Sequence, residues 1–231
     1  MQPTYFPWAG YFSLIGQVDI FVFLDDVQYE RSNWHNRNRI LLNGQIHWLT
    51  VPVVRQFLGQ PINQVTVDDT RNWRQKHLRL LSQAYAKRSH APEMLNSADV
   101  ILDSSLGNLA DLNIRVIAEL ARNLELSTKM LRSSELGIAG NRTERLIGIC
   151  EQLQCDEYVS PVGATQYLSD DGFKKKTSIR LSFNEFVPAE YPQPKADTFV
   201  SHLSVLDVIA NLGWDGTKDY VRDVPTKVRH D

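Results

Sequence analysis

The chain has 231 residues, of which 42% are hydrophobic and 23% charged, and its formal net charge is −2. This composition indicates a globular protein and excludes a disordered or collagen-like chain, and the lack of excess basic charge argues against a non-specific nucleic-acid binder. No apolar run is long enough to span a bilayer and no signal-peptide pattern follows Met1. We therefore expect a cytoplasmic protein without membrane insertion, with residues 1–231 forming a single α/β domain that could include a helical subdomain around residues 70–125.

The first third of the chain predicts a helix, a buried strand and a hairpin, in that order. Residues 10–18 are short and amphipathic, as expected of a helix. Residues 19–24 form a continuous apolar run bounded by acids, which is typical of a strand covered on both faces. Asn43 and Gly44 lie between two β-type runs and predict a tight antiparallel hairpin.

The rest of the chain predicts helices that alternate with short strands. Strands are expected over residues 62–67, 128–131, 157–160 and 179–183, and helices over 73–87, 106–124 and 143–153, the last capped by Asn141. This order predicts a doubly wound, mostly parallel Rossmann-like sheet with an inserted antiparallel hairpin and a helical C-terminal part.

A ligand site is expected where the predicted strands end. In doubly wound sheets, ligands bind outside the carboxyl ends of the strands. The opening segment, residues 2–11 (QPTYFPWAGY), and the pair Asp25 and Asp26 would both face that crevice. Gly10, at a helix start, would let backbone N–H groups approach an anion, and the aromatic rings could stack on a flat or sugar-like ligand. Burial of these aromatics in the core is the alternative.

Charged side chains follow the first predicted strand. Asp25 or Asp26 could bind a metal or a substrate amine, or act as a base. Because neighbours on an extended strand point to opposite sides, the two are not expected to share one ion. The next run offers guanidinium groups suited to phosphate or carboxylate, with structural pairing to Asp25 or Asp26 as an equal alternative; the run contains Arg31, Trp34, His35, Asn36, Arg37 and Arg39.

The second half of the chain adds weaker signals. Arg145 falls in the first turn of a predicted helix, and Ser160 to Gly163 forms a strand-to-helix turn that could bind an anion or be a plain loop. The histidine spacing does not predict a metal site, and no nucleotide-binding or hydrolase glycine motif occurs. Cys150 and Cys155 would point to different faces of a helix, so we expect free thiols.

Several segments together resemble one family. QPTYFPWAGYFSLIGQVDIFVFLDDVQYERSNWHNRNRI, HWLTVPV, NWRQKHLRLLSQAY, SSELG, TERLIGICEQLQCDEYVSPVGATQYL and LSVLDVIANLG are similar to the WbqC-like family over residues 2 to 213. That family occurs in bacterial gene clusters for O-antigen lipopolysaccharide and other surface polysaccharides. The family pattern falls on Gln2, Pro3, Tyr5, Pro7, Gly10, Tyr11, Asp25, Asp26, Trp34, Asn36, Arg37, Pro52, Trp73, Arg145, Tyr158, Ser160, Gly163 and Tyr167.

The chain departs from the family pattern at its start. Family members usually have several apolar residues before the Gln-Pro pair, which form a first strand, whereas here Met1 directly precedes Gln2. Either the start is misplaced, in which case upstream residues add that strand, as we expect, or this protein lacks most of it. The order of elements is also similar to the nucleotidylyltransferase and pantothenate-synthetase group. Only Gly10 of its His-x-Gly-His signature is present, so this likeness implies a nucleotidylyltransferase-like fold and no more.

The resemblance implies a role in surface-polysaccharide synthesis. We expect transfer of an aminoacyl or acyl group to a nucleotide-linked amino sugar, with Asp25, Asp26 and Tyr5 as catalytic residues. The expected donor is a carrier-protein thioester, with ATP-dependent activation second. The alternatives are a non-catalytic module that binds a nucleotide sugar or a carrier protein, and an ATP-using ligase. The residues expected to bind substrate are Gln2, Gly10, Tyr11, Gln28, Arg31, Trp34, Asn36, Arg37, Arg145, Ser160 and Gly163.

Overall fold

The computed structural model describes residues 1–55, 57–102, 106–140, 142–223 and 226–230. The helices are α1 Ala9–Gly16, α2 Trp73–Tyr85, α3 Ala91–Leu102, α4 Leu109–Asn123, α5 Ser133–Leu136, α6 Arg142–Gln152, α7 Thr165–Asp170, α8 Phe173–Lys176 and α9 Val205–Asp223. The strands are β1 Ile20–Phe23, β2 Arg37–Leu42, β3 Gln45–Thr50, β4 Lys129–Arg132, β5 Glu157–Pro161, β6 Arg180–Phe186 and β7 Thr226–His230. None of these helices is both long enough and apolar enough to cross a bilayer.

The strands form three small sheets. β1 pairs with β4 and β5 pairs with β6, both in parallel, while β7 adds to β6 and β2 pairs with β3 in antiparallel orientation. Helices connect the members of each parallel pair, as a parallel connection requires. The predicted mixed α/β class is therefore confirmed at this level.

The hairpin forms where the Asn-Gly pair predicts it. Leu42 pairs with Gln45, so Asn43 and Gly44 make a two-residue turn with φ of 51° and 81°. Both values lie in the left-handed region, which Asn and Gly adopt at low cost. The hairpin exposes Trp48, whose ring packs against the Arg37 guanidinium.

Two elements differ from expectation. The strand predicted over residues 62–67 is wrong, because Ile62–Gln64 forms a single helical turn after Pro61 and only isolated bridges follow. The alternating apolar residues of this segment are buried although they form no strand. α3 was not predicted. Pro92 is the second residue of that helix, where no intrahelical N–H bond is needed. Asn141, the predicted cap of α6, lies outside the described residues.

Apolar packing divides into two clusters. The larger one joins residues of α1, β1, α2, α3, α4 and α9, and its centre holds side chains with no solvent exposure, such as Phe12, Ile117 and Ile209. The smaller one lies around β5 and β6 and includes Leu168 and Phe183. The buried opening segment belongs to the larger cluster, which positions the loop after β1.

A groove lies between the two parallel pairs. Its volume is about 310 Å³, and residues of β1 line one side while residues of β5 line the other. The Met1 backbone runs along β1, because its nitrogen donates to Val22 O at 2.7 Å and its carbonyl accepts from Leu24 N at 2.8 Å. This pairing brings Gln2 alongside the residues that follow β1. Cys150 and Cys155 also line the groove and are free thiols, as predicted.

Candidate functional site

The carboxyl ends of β1 and β4 bring two polar pairs together. Phe23 is in register with Arg132, and because the strands run parallel, the residues after each strand emerge at the same edge. Asp25 and Asp26 follow β1, and Ser133 and Ser134 follow β4. These four residues and Arg145 form the acid–serine cluster.

Hydrogen bonds hold the acid–serine cluster in one arrangement. Asp25 is 1% exposed and accepts from Ser134 N at 3.1 Å and from Ser134 Oγ at 2.7 Å. Asp26 accepts from Ser133 Oγ through one oxygen and from the Arg145 guanidinium through the other. Ser133 Oγ is also 3.3 Å from Asp25 Oδ1, but one hydroxyl has one proton to donate.

The geometry corrects two expectations about the aspartates. Both carboxylates converge on Ser133 instead of pointing apart, because residues 25 and 26 lie in a turn and not on an extended strand. The arginine that pairs with Asp26 is Arg145, and neither Arg31 nor Arg37 does so. The Asp26 side chain is 24% exposed whereas Asp25 is buried, so Asp26 is the carboxylate that a ligand can reach.

The His35 side chain orients the exposed amide of Gln2. His35 Nδ1 accepts from Glu30 N at 3.2 Å, so its Nε2 carries the proton and donates to Gln2 Oε1 at 3.0 Å. Burial lowers the pKa of His35 to about 4, and the ring is therefore neutral at pH 7. With Oε1 engaged, the Gln2 NH₂ group is left as a donor. Asn113 supports both segments by donating to Pro3 O and His35 O.

Most aromatic residues of the opening segment lie in the core. Tyr5 and Phe12 have no exposure, and Tyr11 is 2% exposed with its hydroxyl donated to Gln2 O at 3.0 Å. A Cβ on Gly10 would lie within 2.8 Å of three Trp8 ring atoms, so packing requires a glycine there. A fully buried phenol such as Tyr5 has no atom that can touch a substrate in this conformation.

Replacement of Tyr5 by Phe is expected to lower stability and leave ligand affinity unchanged. The Tyr5 hydroxyl bonds His77 Nδ1 at 2.9 Å, and His77 also bonds the Thr50 backbone. Losing the hydroxyl leaves a buried ring nitrogen without a partner, at a cost of about 1–3 kcal/mol, which thermal unfolding would detect. Tyr167→Phe, at a half-buried position, is the control. An unchanged melting temperature with weakened ligand binding would instead make Tyr5 a site residue.

The other predicted site residues divide between a cleft and a turn. Gln28, Arg31, Asn36 and Arg37 line one cleft of about 840 Å³, whereas Trp34 is not part of its lining and packs against Trp48. Ser160 is buried at the end of β5, and Gly163 is exposed in the turn Val162–Ala164. Across the described ranges, no three His, Cys, Asp or Glu side chains are grouped as metal ligands.

Sequence reasoning missed several residues of these sites. Ser133 and Ser134 follow the predicted strand over residues 128–131 with only Arg132 between, so the rule applied to Asp25 and Asp26 would have found them. Tyr29 and Arg55 of the cleft carried no comparable signal, because the loops that supply them come together only in the folded chain.

Comparison with known proteins decides the family. Residues 2–219 match the model of the WbqC-like protein family. The chain belongs to this family. It is 34% identical over 224 residues to an uncharacterized protein of Mycobacterium tuberculosis, and the match covers 96% of each chain. No solved structure matches this member of the WbqC-like family. The resemblance inferred from the sequence motifs is therefore confirmed.

Proposed function

We propose that this protein transfers an aminoacyl or acyl group to the amine of a nucleotide-linked amino sugar during O-antigen or surface-polysaccharide synthesis in the bacterial cytoplasm. The donor is a carrier-protein thioester, with an acyl group activated by ATP as the second choice. The reaction takes place at the acid–serine cluster. Asp26 binds and deprotonates the amine, and Asp25 is a positioning residue.

The convergence of both aspartates on Ser133 carries the proposal. One carboxylate is buried and fixes Ser134, while the other is partly exposed and held on both oxygens by Ser133 and Arg145. A carboxylate held in this way keeps a fixed orientation toward a ligand. A group that accepts a proton from a substrate amine requires such an orientation. The Gln2 amide, held by His35, adds a donor near the same strand end.

The proposed step balances without a covalent enzyme intermediate. The sugar amine attacks the thioester carbonyl, a C–N bond forms, and the C–S bond breaks. Asp26 accepts the amine proton, and the departing thiolate takes up a proton to leave as a thiol. A cysteine nucleophile is not favoured, because burial raises the pKa of Cys150 to about 12 and also raises that of Cys155.

Incubation with UDP- and dTDP-amino sugars and acyl thioesters tests the proposal. We expect a product whose mass equals the sugar plus the free carboxylic acid of the acyl group, less water, detected by mass spectrometry. A nucleotide sugar that raises the melting temperature while no donor yields product would contradict transfer and support the binding-module alternative.

We also propose that the two parallel pairs belong to one doubly wound, Rossmann-like sheet completed by a strand between β1 and β5. Two observations support this arrangement. The groove there is lined by residues of both strands, and the Met1 backbone already pairs with β1 at one end of it. A strand in the groove could bond both neighbours and bury both of its faces.

Adding about five alternating Val and Ile residues before Met1 is expected to stabilise the protein. The added strand would bury apolar side chains and pair backbone groups, and we expect a gain of at least about 2 kcal/mol, or roughly 4–8 °C in melting temperature. A Gly-Ser extension of the same length is the matched control. Equal melting temperatures for the two extended chains would contradict the completed sheet.

A further inference from the structure

The cleft lined by Arg31 and Arg37 is a second site on the loop that carries Asp26. Its walls are residues 28–32, the start of β2, residues 50–53, Arg55 and residues 57–59, and its volume is about 840 Å³. That volume lies in the range of small-molecule sites. Asp26 and Gln28 are two residues apart, which places their backbones at most about 7 Å from each other, so one elongated ligand could reach both sites.

The cleft carries unpaired positive charge. Four guanidinium groups line it, from Arg31, Arg37, Arg55 and Arg71. Among the ion pairs of the described residues, only Arg71 of these four has a partner, Asp68 at 3.0 Å. The one carboxylate in the lining, Glu30, accepts a hydrogen bond from Asn33. Three arginines therefore face this space without an acidic partner.

Two buried polar side chains in the cleft wall lack hydrogen-bond partners. Tyr29 is 7% exposed and Asn36 is 6% exposed, and neither Tyr29 Oη nor Asn36 Oδ1 has a partner within the described part of the chain. Asn36 Nδ2 donates to Val51 O at 2.9 Å, which leaves its oxygen as a free acceptor. Buried polar atoms are almost always bonded. Both atoms are closed to solvent in this conformation, so a ligand with hydroxyl or N–H donors would satisfy them only once neighbouring side chains move apart on binding.

Stacking holds Arg37 in place before any ligand arrives. Its guanidinium carbon lies 4.2 Å from the centre of the Trp48 ring, and Trp34 packs beside Trp48 with 5.6 Å between centroids. Arg37 Nε is buried without a hydrogen-bond partner. A planar guanidinium fixed in this way and left with free N–H groups is suited to bidentate binding of phosphate.

We propose that this cleft binds the diphosphate and ribose of a nucleoside diphosphate. Arg31, Arg37 and Arg55 bind the phosphate oxygens, and ligand hydroxyl groups bond Asn36 Oδ1 and Tyr29 Oη. Two phosphates match three unpaired guanidinium groups better than a single carboxylate does. Assigning the cleft as the nucleotide subsite of the amino-sugar substrate rests on the proposed function, whereas binding of a nucleoside diphosphate does not.

Calorimetric titration with UDP tests the cleft. We expect the wild-type protein to bind UDP, with affinity falling as salt is added, and to bind uridine at least about tenfold more weakly because the nucleoside lacks phosphates. Arg37→Ala and Arg31→Ala should each weaken UDP binding about tenfold or more. Arg79→Ala, at an exposed position of α2, is the matched control and should bind as the wild type does.

The possible results test the assignment of the cleft and the transfer reaction independently of each other. Arg31 is exposed, so Arg31→Ala keeps the proposal testable even if Arg37→Ala fails to fold. Absence of UDP binding up to about 1 mM, or equal affinities for the Arg31, Arg37 and Arg79 variants, would overturn the assignment. If only the Arg31 and Arg37 variants lose UDP binding, the cleft assignment is supported. If, in addition, no amino sugar is acylated, that result refutes only the transfer reaction. Conversely, acylation of UDP-linked sugars at an unchanged KM in both cleft variants would refute only the cleft.

Discussion

Asp26→Asn is expected to lower the rate of acyl transfer at least a hundredfold, which corresponds to about 2.7 kcal/mol of transition-state stabilisation. The amide keeps the shape of the carboxylate and can still accept from Ser133, but it cannot take a proton from an amine. The rate of product formation, normalised to folded protein, measures the effect.

Stability should change much less than activity in this variant. Arg145 loses its ionised partner at a partly buried position, and we expect a cost of about 1–2 kcal/mol in unfolding free energy. Asp111→Asn is the matched control, because Asp111 also pairs with an arginine, Arg132 at 2.6 Å, and neither side chain belongs to the acid–serine cluster. Retained activity per folded molecule with a large loss of stability would show that Asp26 is structural.

Acidification from pH 7 to pH 5 is expected to remove about 2 kcal/mol of unfolding free energy for each of His35 and His77. Burial lowers both pKa values from 6.5 to about 4. Between those values the unfolded chain binds more protons than the folded chain. The stabilisation is therefore complete above pH 6.5 and is lost as pH falls through 4. Both side chains are also at most 4% exposed, so water does little to relieve the cost of charging them.

Denaturant unfolding at pH 7, 6 and 5 measures this dependence. His77→Gln should reduce the slope of unfolding free energy against pH by up to about 1.4 kcal/mol per unit, whatever its effect on stability at pH 7. His47→Gln, on the exposed face of β3, should leave the slope unchanged. A wild-type protein equally stable at pH 7 and pH 5 would contradict burial of neutral histidines.

Short-range signals predicted most of the secondary structure. The Asn43-Gly44 turn, the apolar run of β1 and the helical spacing of α2 and α4 each depend on residues close in the chain, and the structure contains all four. The same rules failed where contacts between residues distant in the chain decide the local structure. Residues 62–67 alternate like a strand, yet they bury their apolar side chains beside isolated bridges to Val53 and Asn108, because no neighbouring strand is available to pair with them.

The candidate site was predicted in part. Asp25 and Asp26 were found because acids at the end of a buried strand are visible in the sequence, and Arg31 and Arg37 because they lie in one run dense in arginine. Ser133 follows a predicted strand and could have been found by the same rule. Its pairing with Asp26, and that of Arg145, were not predictable, since both residues are more than 100 residues away in sequence. Sequence spacing could not distinguish Tyr5 as a core residue from Tyr5 as a ligand contact, because aromatic side chains suit both environments.

Composition and local patterning therefore suffice for the α/β class, the hairpin, α2, α4 and the segment that carries the acids, and the resemblance of several motifs suffices for the family. Three features depend on which segments pack together: the partner of each carboxylate, the neutral state of His35 and His77, and the gathering of Arg31, Arg37 and Arg55 around Tyr29 and Asn36. The reason is physical. Hydrogen bonding and desolvation act through space over a few ångströms, whereas a sequence pattern reports only neighbours along the chain.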